Sequence, residues 1–304
     1  MNAQTGENEE QEEKKKFGRA RMLNLKMFIS GNVVELYHYN TPLSKGLAYS
    51  RMIGVRGSKS TTDEQKKLVG TKTAHRARNN LRRLVNSNIG QWEDENGKPC
   101  IPFFVSLTFA ENITDLDYAH KEFTNYTKRL NYLLFGVNKS KIKYIAVTEF
   151  QKRGAVHYHI IYFNLPEEIG LAEFERTERV LADTWGHGWV DVKPITDNYQ
   201  KVVGYMVKYL NKAWVDKRLW NKKKYFSSKG LKKPLAITHD ELIKKLMMSS
   251  LFTQNLEYRT YANVYKSKFN DQIVFNQFVF PKELTEDLLE LRKEYYLKMY
   301  NLEI

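Results

Sequence analysis

Glu149-Phe-Gln-Lys-Arg-Gly-Ala-Val-His-Tyr-His159 holds a carboxylate and two imidazoles at a spacing that could seat a metal ion. The runs on either side, Tyr144–Phe150 and Ala155–Phe163, are rich in β-branched and aromatic residues and read as two strands. Lys152-Arg153-Gly154 between them suits a three-residue hairpin loop, whose last position favours the left-handed backbone that glycine adopts at little cost. That loop length pairs Gln151 with Ala155 and Glu149 with His157. Directly opposed residues share a face, and His159, two residues on, shares it too. One oxygen and two nitrogen donors then converge, a set that a hard divalent cation accepts with positions left for water or phosphate. A loop one residue shorter would put the acid and the imidazoles on opposite faces. A His-x-His pair alone would also suit an exposed strand face; the matched acid favours the metal. The intervening Tyr158 is bulky and polar, and suits a partly buried surface.

A second reactive group lies further on. Tyr205-Met-Val-Lys208-Tyr209-Leu-Asn-Lys212 contains two overlapping Tyr-x-x-Lys units. On a helix, Tyr205 and Tyr209 share a face at i and i+4, and Lys208 and Lys212 follow one step round. Val202, Val203, Met206 and Leu210 form the apolar stripe, leaving the tyrosines at its edge. A phenol, with an ordinary pKa of about 10, attacks poorly unless a cation favours the phenolate. Two packing tyrosines on an amphipathic helix are the plainer reading; a metal and two ammonium groups nearby would make them nucleophiles.

The elements that must position these groups follow in order. Phe103–Phe109 reads as a central strand, and Asp115 is placed to cap a helix reaching Phe135 with Phe123, Tyr126, Leu130 and Leu134 inward. The two hairpin strands come next, then a helix over 171–185, a strand over 188–194 and a helix over 198–214. The order β-α-β-β-α-β-α predicts an α+β fold: a ferredoxin-like, RRM-like antiparallel sheet with helices on one face. Around this core, residues 101–215, we expect a charged tail over 1–20 and an N-terminal extension over 21–100. The extension holds a hairpin about Ser30-Gly31-Asn32, a loop over 40–62 and a basic helix from Asp63 to Ser87. A basic aromatic segment and C-terminal extension cover 216–304, with a helix near 241–249, strands within 258–280 and a final helix after Pro281.

The formal net charge of +14 favours a polyanionic partner. Residues 208–233 hold ten Lys and Arg against the single acid Asp216, interleaved with Trp214, Trp220, Tyr225 and Phe226. Lysines that neutralise phosphates beside aromatics that stack on bases suit a single strand of nucleic acid. Arg153, Lys217, Arg218, Lys222, Lys223 and Lys224 are the expected contacts. Gly54 and Gly57 do not complete a phosphate-binding P-loop, so no ATP-driven motor and no small-molecule cofactor is expected. Cys100 is the only cysteine, which excludes an internal disulfide and a Cys-based zinc site and fits a reducing cytoplasm. Neither a secretory signal nor an apolar run long enough for a bilayer is evident, so no membrane partner is expected.

These blocks together resemble the HUH single-strand endonucleases, in particular rolling-circle replication initiators of phages and plasmids with paired tyrosines. Phe104-Val-Ser-Leu-Thr-Phe109 resembles the family's first motif strand, His157-Tyr158-His159 its His-hydrophobic-His motif, and Tyr205–Lys212 its tyrosine motif. Glu149 sits where many members place a third metal ligand. The likeness covers about residues 103–215. It implies Mg²⁺ or Mn²⁺ held by Glu149, His157 and His159, and attack by a tyrosine on the scissile phosphate. A 5′-phosphotyrosine and a free 3′-hydroxyl result, and a later transesterification rejoins the strand. Tyr209 ranks ahead of Tyr205, and Lys212, then Lys208, would position the phosphate. The implied partners are single-stranded origin DNA, a host helicase and a polymerase, in the host cell's cytoplasm. His187, in Trp185-Gly-His-Gly188, reads as a turn residue rather than a ligand. Other readings are a transposase or relaxase with the same chemistry, and a non-enzymatic basic protein that binds single strands.

Overall fold

The computed structural model describes residues 21–45, 63–165, 174–197, 199–219, 222–267 and 270–301. The charged tail, the segment holding Gly54 and Gly57, the start of the 171–185 helix, Asn198 and Trp220 lie outside them, as do the side chains of Lys66, Lys67 and Lys72. The described residues form two antiparallel five-stranded sheets and seven α-helices. The chain divides into two compact units, one of residues 1–67 and 235–304, the other of residues 68–234.

The unit of residues 68–234 carries the sequence motifs. Its strands are β3 (Phe103–Thr108), β4 (Tyr144–Phe150), β5 (Val156–Tyr162), β6 (Val190–Pro194) and β7 (Tyr225–Ser227). The sheet order is β6-β3-β5-β4-β7, every pair antiparallel. Without β7, this is the strand order of a ferredoxin-like sheet, as the element order predicts. Helices α2 (Leu116–Phe135) and α3 (Phe174–Trp185) cover one face. There Phe123 stacks on Tyr158 and Tyr126 meets Trp185 edge-on. Asp115 caps α2, its carboxylate accepting from the backbone N–H groups of Asp117 and Tyr118 at 2.9 and 3.1 Å. Helix α4 (Tyr199–Val215) packs on β4 from the opposite face. Alternation along β3 separates the faces: Phe103, Val105 and Leu107 are buried, whereas Phe104, Ser106 and Thr108 are half-buried on the side of α4.

The other unit pairs both ends of the chain in one sheet. Strands β1 (Arg21–Ser30) and β2 (Val33–Lys45) form the expected hairpin, and β2 extends into the stretch expected to be loop. Strand β8 (Leu235–Ile237) pairs with β1, and the hairpin of β9 (Arg259–Ser267) and β10 (Asn270–Val279) adds to β2. Helices α5 (Asp240–Met248), α6 (Ser250–Thr253) and α7 (Lys282–Tyr300) close its core, where Met27, Val34, Leu246, Phe280 and Leu288 are buried. The basic helix α1 (Asp63–Asn86) runs across the division between units, and in the 68–234 unit its Leu81 and Val85 enter the core. Its Arg76 is exposed, but Arg83 is buried, so the basic residues do not form one solvated face.

Candidate active site

The β4–β5 hairpin has the register that its turn length dictates. Gln151 donates to the Ala155 carbonyl at 2.9 Å, Gly154 takes φ +93°, and Glu149 lies opposite His157. The carboxylate nevertheless reaches the diagonal neighbour: Glu149 Oε2 is 2.6 Å from His159 Nε2, and Lys212 Nζ donates to Oε1 at 2.7 Å. The two imidazoles meet edge-on, with centroids 4.6 Å apart. Tyr158, expected to be partly buried, is fully buried on the opposite face beneath α2, where β5 is closed over by Phe123.

Two hydroxyls from β3 complete the arrangement. Ser106 and Thr108 lie opposite His159 and His157. Their Oγ atoms are 3.2 Å and 2.9 Å from the respective Nδ1 atoms. The hydroxyl can donate or accept, so it serves either ring tautomer. With a proton on His159 Nε2, donated to Glu149, Nδ1 accepts from Ser106; with the proton on Nδ1, Ser106 accepts and Nε2 is left as a lone pair. Sequence reasoning noted the β3 strand but not these hydroxyls. The Ser-x-Thr alternation in register with His-x-His was the available signal.

Helix α4 adds the phenol. The Tyr209 ring lies flat on the His159 imidazole, centroids 3.4 Å apart and planes 16° from parallel, with Phe104 stacked 6.3 Å away and Lys212 Nζ 5.1 Å above. Tyr205, one turn earlier, is 44% exposed, and Lys208 is exposed. The structure therefore brings Glu149, His159, Tyr209 and Lys212 into contact, with His157 alongside.

Burial works against the Glu149 carboxylate, but hydrogen bonds from His159 and Lys212 outweigh it and bring its pKa down to about 2. Burial and the neighbouring His159 lower His157 to about 4. Burial also lowers His159, against the pull of Glu149, so the pair is a carboxylate with a neutral imidazole rather than an ion pair.

The donor chemistry fits a hard divalent cation: a carboxylate and two neutral imidazoles, each with Nδ1 held by a hydroxyl so that Nε2 is the ligating atom. In the arrangement described, the Glu149–His159 hydrogen bond is closed. Among the described residues, no group of three His, Cys, Asp or Glu side chains stands ready-made as a metal cage. A cation would take the place of the proton between these two groups.

The basic segment folds back on the protein. Arg153 donates to the Phe109 and Ala110 carbonyls at 2.5 and 3.3 Å, clasping the hairpin turn to the end of β3. Arg218 is paired with Asp216 and lies 3.9 Å over the Phe150 ring. Lys222 reaches Asp117, and Lys224, half-buried, bonds the Leu219 carbonyl over the Trp214 ring. Lys217 and Lys223 are exposed. His187, in the turn after α3, bonds Glu122 at 3.1 Å.

Residues 102–214 match a family model described as a replication-associated protein of the ORF2 type. No curated protein and no solved structure matches the chain. The match covers the ferredoxin-like sheet and every candidate catalytic residue, and it supports a replication-initiator role. No helix among the described residues is long and apolar enough to cross a membrane.

Proposed function

We propose that the protein nicks single-stranded DNA at a replication origin by transesterification onto Tyr209, and later rejoins the strand. The observation that carries this reading is the stacking of the Tyr209 phenol on His159, within a cluster that also holds Glu149 and Lys212. The match to a replication-associated family supports the biology.

Glu149, His157 and His159 would hold Mg²⁺ or Mn²⁺, which supplies Lewis-acid polarisation of the scissile phosphate. The chain's own groups do the rest. Stacking fixes the Tyr209 ring, so its oxygen needs little reorganisation to reach phosphorus. The phenolic proton leaves as the new O–P bond forms. The bond from phosphorus to the 3′ oxygen breaks, that oxygen takes up a proton, and a 5′-phosphotyrosine and a free 3′-hydroxyl remain. Lys212, once a cation draws Glu149 away, is freed to neutralise the extra charge on the phosphoryl group. Tyr205, exposed on the same helix face one turn away, is placed to act as a second acceptor in rejoining.

The test is incubation with a labelled origin-strand oligonucleotide in Mn²⁺ or EDTA, followed by a denaturing gel. A covalent adduct is expected in Mn²⁺ alone, retained by Tyr205→Phe and lost in Tyr209→Phe. An adduct formed by the Tyr205→Phe/Tyr209→Phe double variant would remove both tyrosines from the mechanism. Chelator-insensitive binding without scission would favour a non-enzymatic strand binder, a reading that the closed Glu149–His159 bond also fits. Adduct formation on transposon ends in preference to an origin would favour a transposase.

A further inference from the structure

The end of the sheet away from the hairpin gathers ammonium groups that the proposed reaction does not use. Lys143 precedes β4, and its Nζ bonds the Lys229 carbonyl at 3.1 Å. Lys232 Nζ bonds the Gln91 carbonyl. Both ammoniums lie over the same indole, Trp92, at 5.6 and 5.5 Å. Lys139 is close enough to Lys143 to disfavour its charge, and Lys229 and Lys233 are exposed beside them. Carboxylates nearby do not neutralise the group: Glu95 lies 3.7 Å from Lys141, and Asp94 accepts from its own turn at Asn96 and Lys98. Holding like charges together is unfavourable unless an anion joins them.

We infer that this lysine cluster around Trp92 is a second DNA contact, which holds the phosphate backbone of the strand leading away from the Tyr209 site. Lysine ammoniums are point charges without the planar fork that reads base edges, so the contact is indifferent to sequence. The Trp92 Nε1–H is bonded to Asn88 Oδ1 at 3.2 Å, and its ring is flanked by the two lysines, so stacking on a base is not its role. Six residues separate Lys143 from Glu149, about 20 Å along the strand. That distance corresponds to about six phosphates at the rise of a B-form strand. Choosing DNA over an acidic protein rests on the nicking reading; the cluster itself does not.

The test compares the full chain with Lys139→Gln/Lys229→Gln/Lys233→Gln, whose three side chains are exposed. Anisotropy is read with single strands of about 8 and about 30 nucleotides, the shorter limited to the nick site, across a salt series. For the longer strand, affinity should fall about tenfold at 0.1 M salt, and the salt slope should fall by about 2, at about 0.7 per phosphate contact. For the shorter strand, binding should stay within about twofold of the parent. Thermal melting checks the fold, and Lys139→Glu/Lys229→Glu/Lys233→Glu should enlarge the same length-dependent loss. An unchanged 30-nucleotide affinity and slope overturns the inference, as does an equal loss on both lengths, or a parent protein that binds both lengths alike. Adduct formation on the short strand is scored separately. Its absence alongside an intact length effect would sink the nicking chemistry and leave this contact standing.

Discussion

Ser106 and Thr108 matter because an imidazole is a useful ligand only when its proton sits on the other nitrogen. Each hydroxyl lies on Nδ1 and accepts that proton's hydrogen bond when Nε2 is needed. Ser106→Ala and Thr108→Ala should each weaken Mn²⁺ binding by about 10- to 100-fold, the usual effect of removing a partner that orients a ligating histidine. Calorimetry measures the affinity. Imidazole ¹⁵N shifts in the metal-free protein should show a mixture of tautomers at His159 once Ser106 is lost. Unchanged affinity and shifts in both variants would mean that the hydroxyls only fill space. The same residues give a pH dependence. In EDTA, His157 holds its proton only below about pH 4, whereas in the unfolded chain it binds one below about 6.5. The unfolded state therefore binds more protons between these values, so stability is full above pH 6.5 and is lost as pH falls towards 4. Glu149 acts in the same direction lower down, between its unfolded value near 4.3 and about 2. Melting temperature followed from pH 7 to 4 should drop, and His157→Asn should flatten that limb.

At the scale of elements, the turn after α3 sets β3 in place. Thr108 N–H donates to the Trp189 carbonyl, Ala110 N–H to that of His187, and Trp185 Nε1–H to that of Thr108. Gly188 allows this closeness: with φ +144°, a Cβ there would fall 2.4 Å from Ala110 N and 2.7 Å from the Thr108 carbonyl oxygen. Gly188→Ala should cost about 2–4 kcal/mol in urea denaturation, in the range of strained-backbone substitutions. Because Thr108 also holds His157, the variant should weaken Mn²⁺ binding as well. Wild-type stability in the variant would show that the turn relaxes freely. The hairpin register was legible in the sequence, since a three-residue loop leaves one way to pair Glu149 with His157. The diagonal choice of Glu149 for His159 was not, because it depends on where Lys212 arrives from α4. Nor was the folding back of the basic segment: charge runs read as solvated, and local pattern does not reveal that Lys224 covers Trp214 or that Arg153 clasps β3.

At the scale of the whole chain, the sheet that combines β1, β2, β8, β9 and β10 joins residues more than two hundred positions apart, such as Val34 with Phe278. Periodicity identifies such strands but is silent about partners at that separation, so sequence reasoning saw two flanking extensions where one sheet forms. The candidate site, by contrast, is drawn wholly from β3, β4, β5 and α4 of the 68–234 unit. That unit has its own continuous core, from Leu81 through Tyr158 and Trp185 to Leu231. A fragment of residues 63–234, which keeps α1 intact, should therefore unfold in one cooperative urea transition and still form the Mn²⁺-dependent adduct on a short origin strand. The lysine cluster travels with it, so the fragment should also keep its preference for the longer strand. A fragment that folds but forms no adduct, where the full chain does, would show that the flanking sheet contributes to the reaction. A fragment that does not fold would show that its core draws stability from the other unit, and adduct formation would then be assigned to the two units acting together.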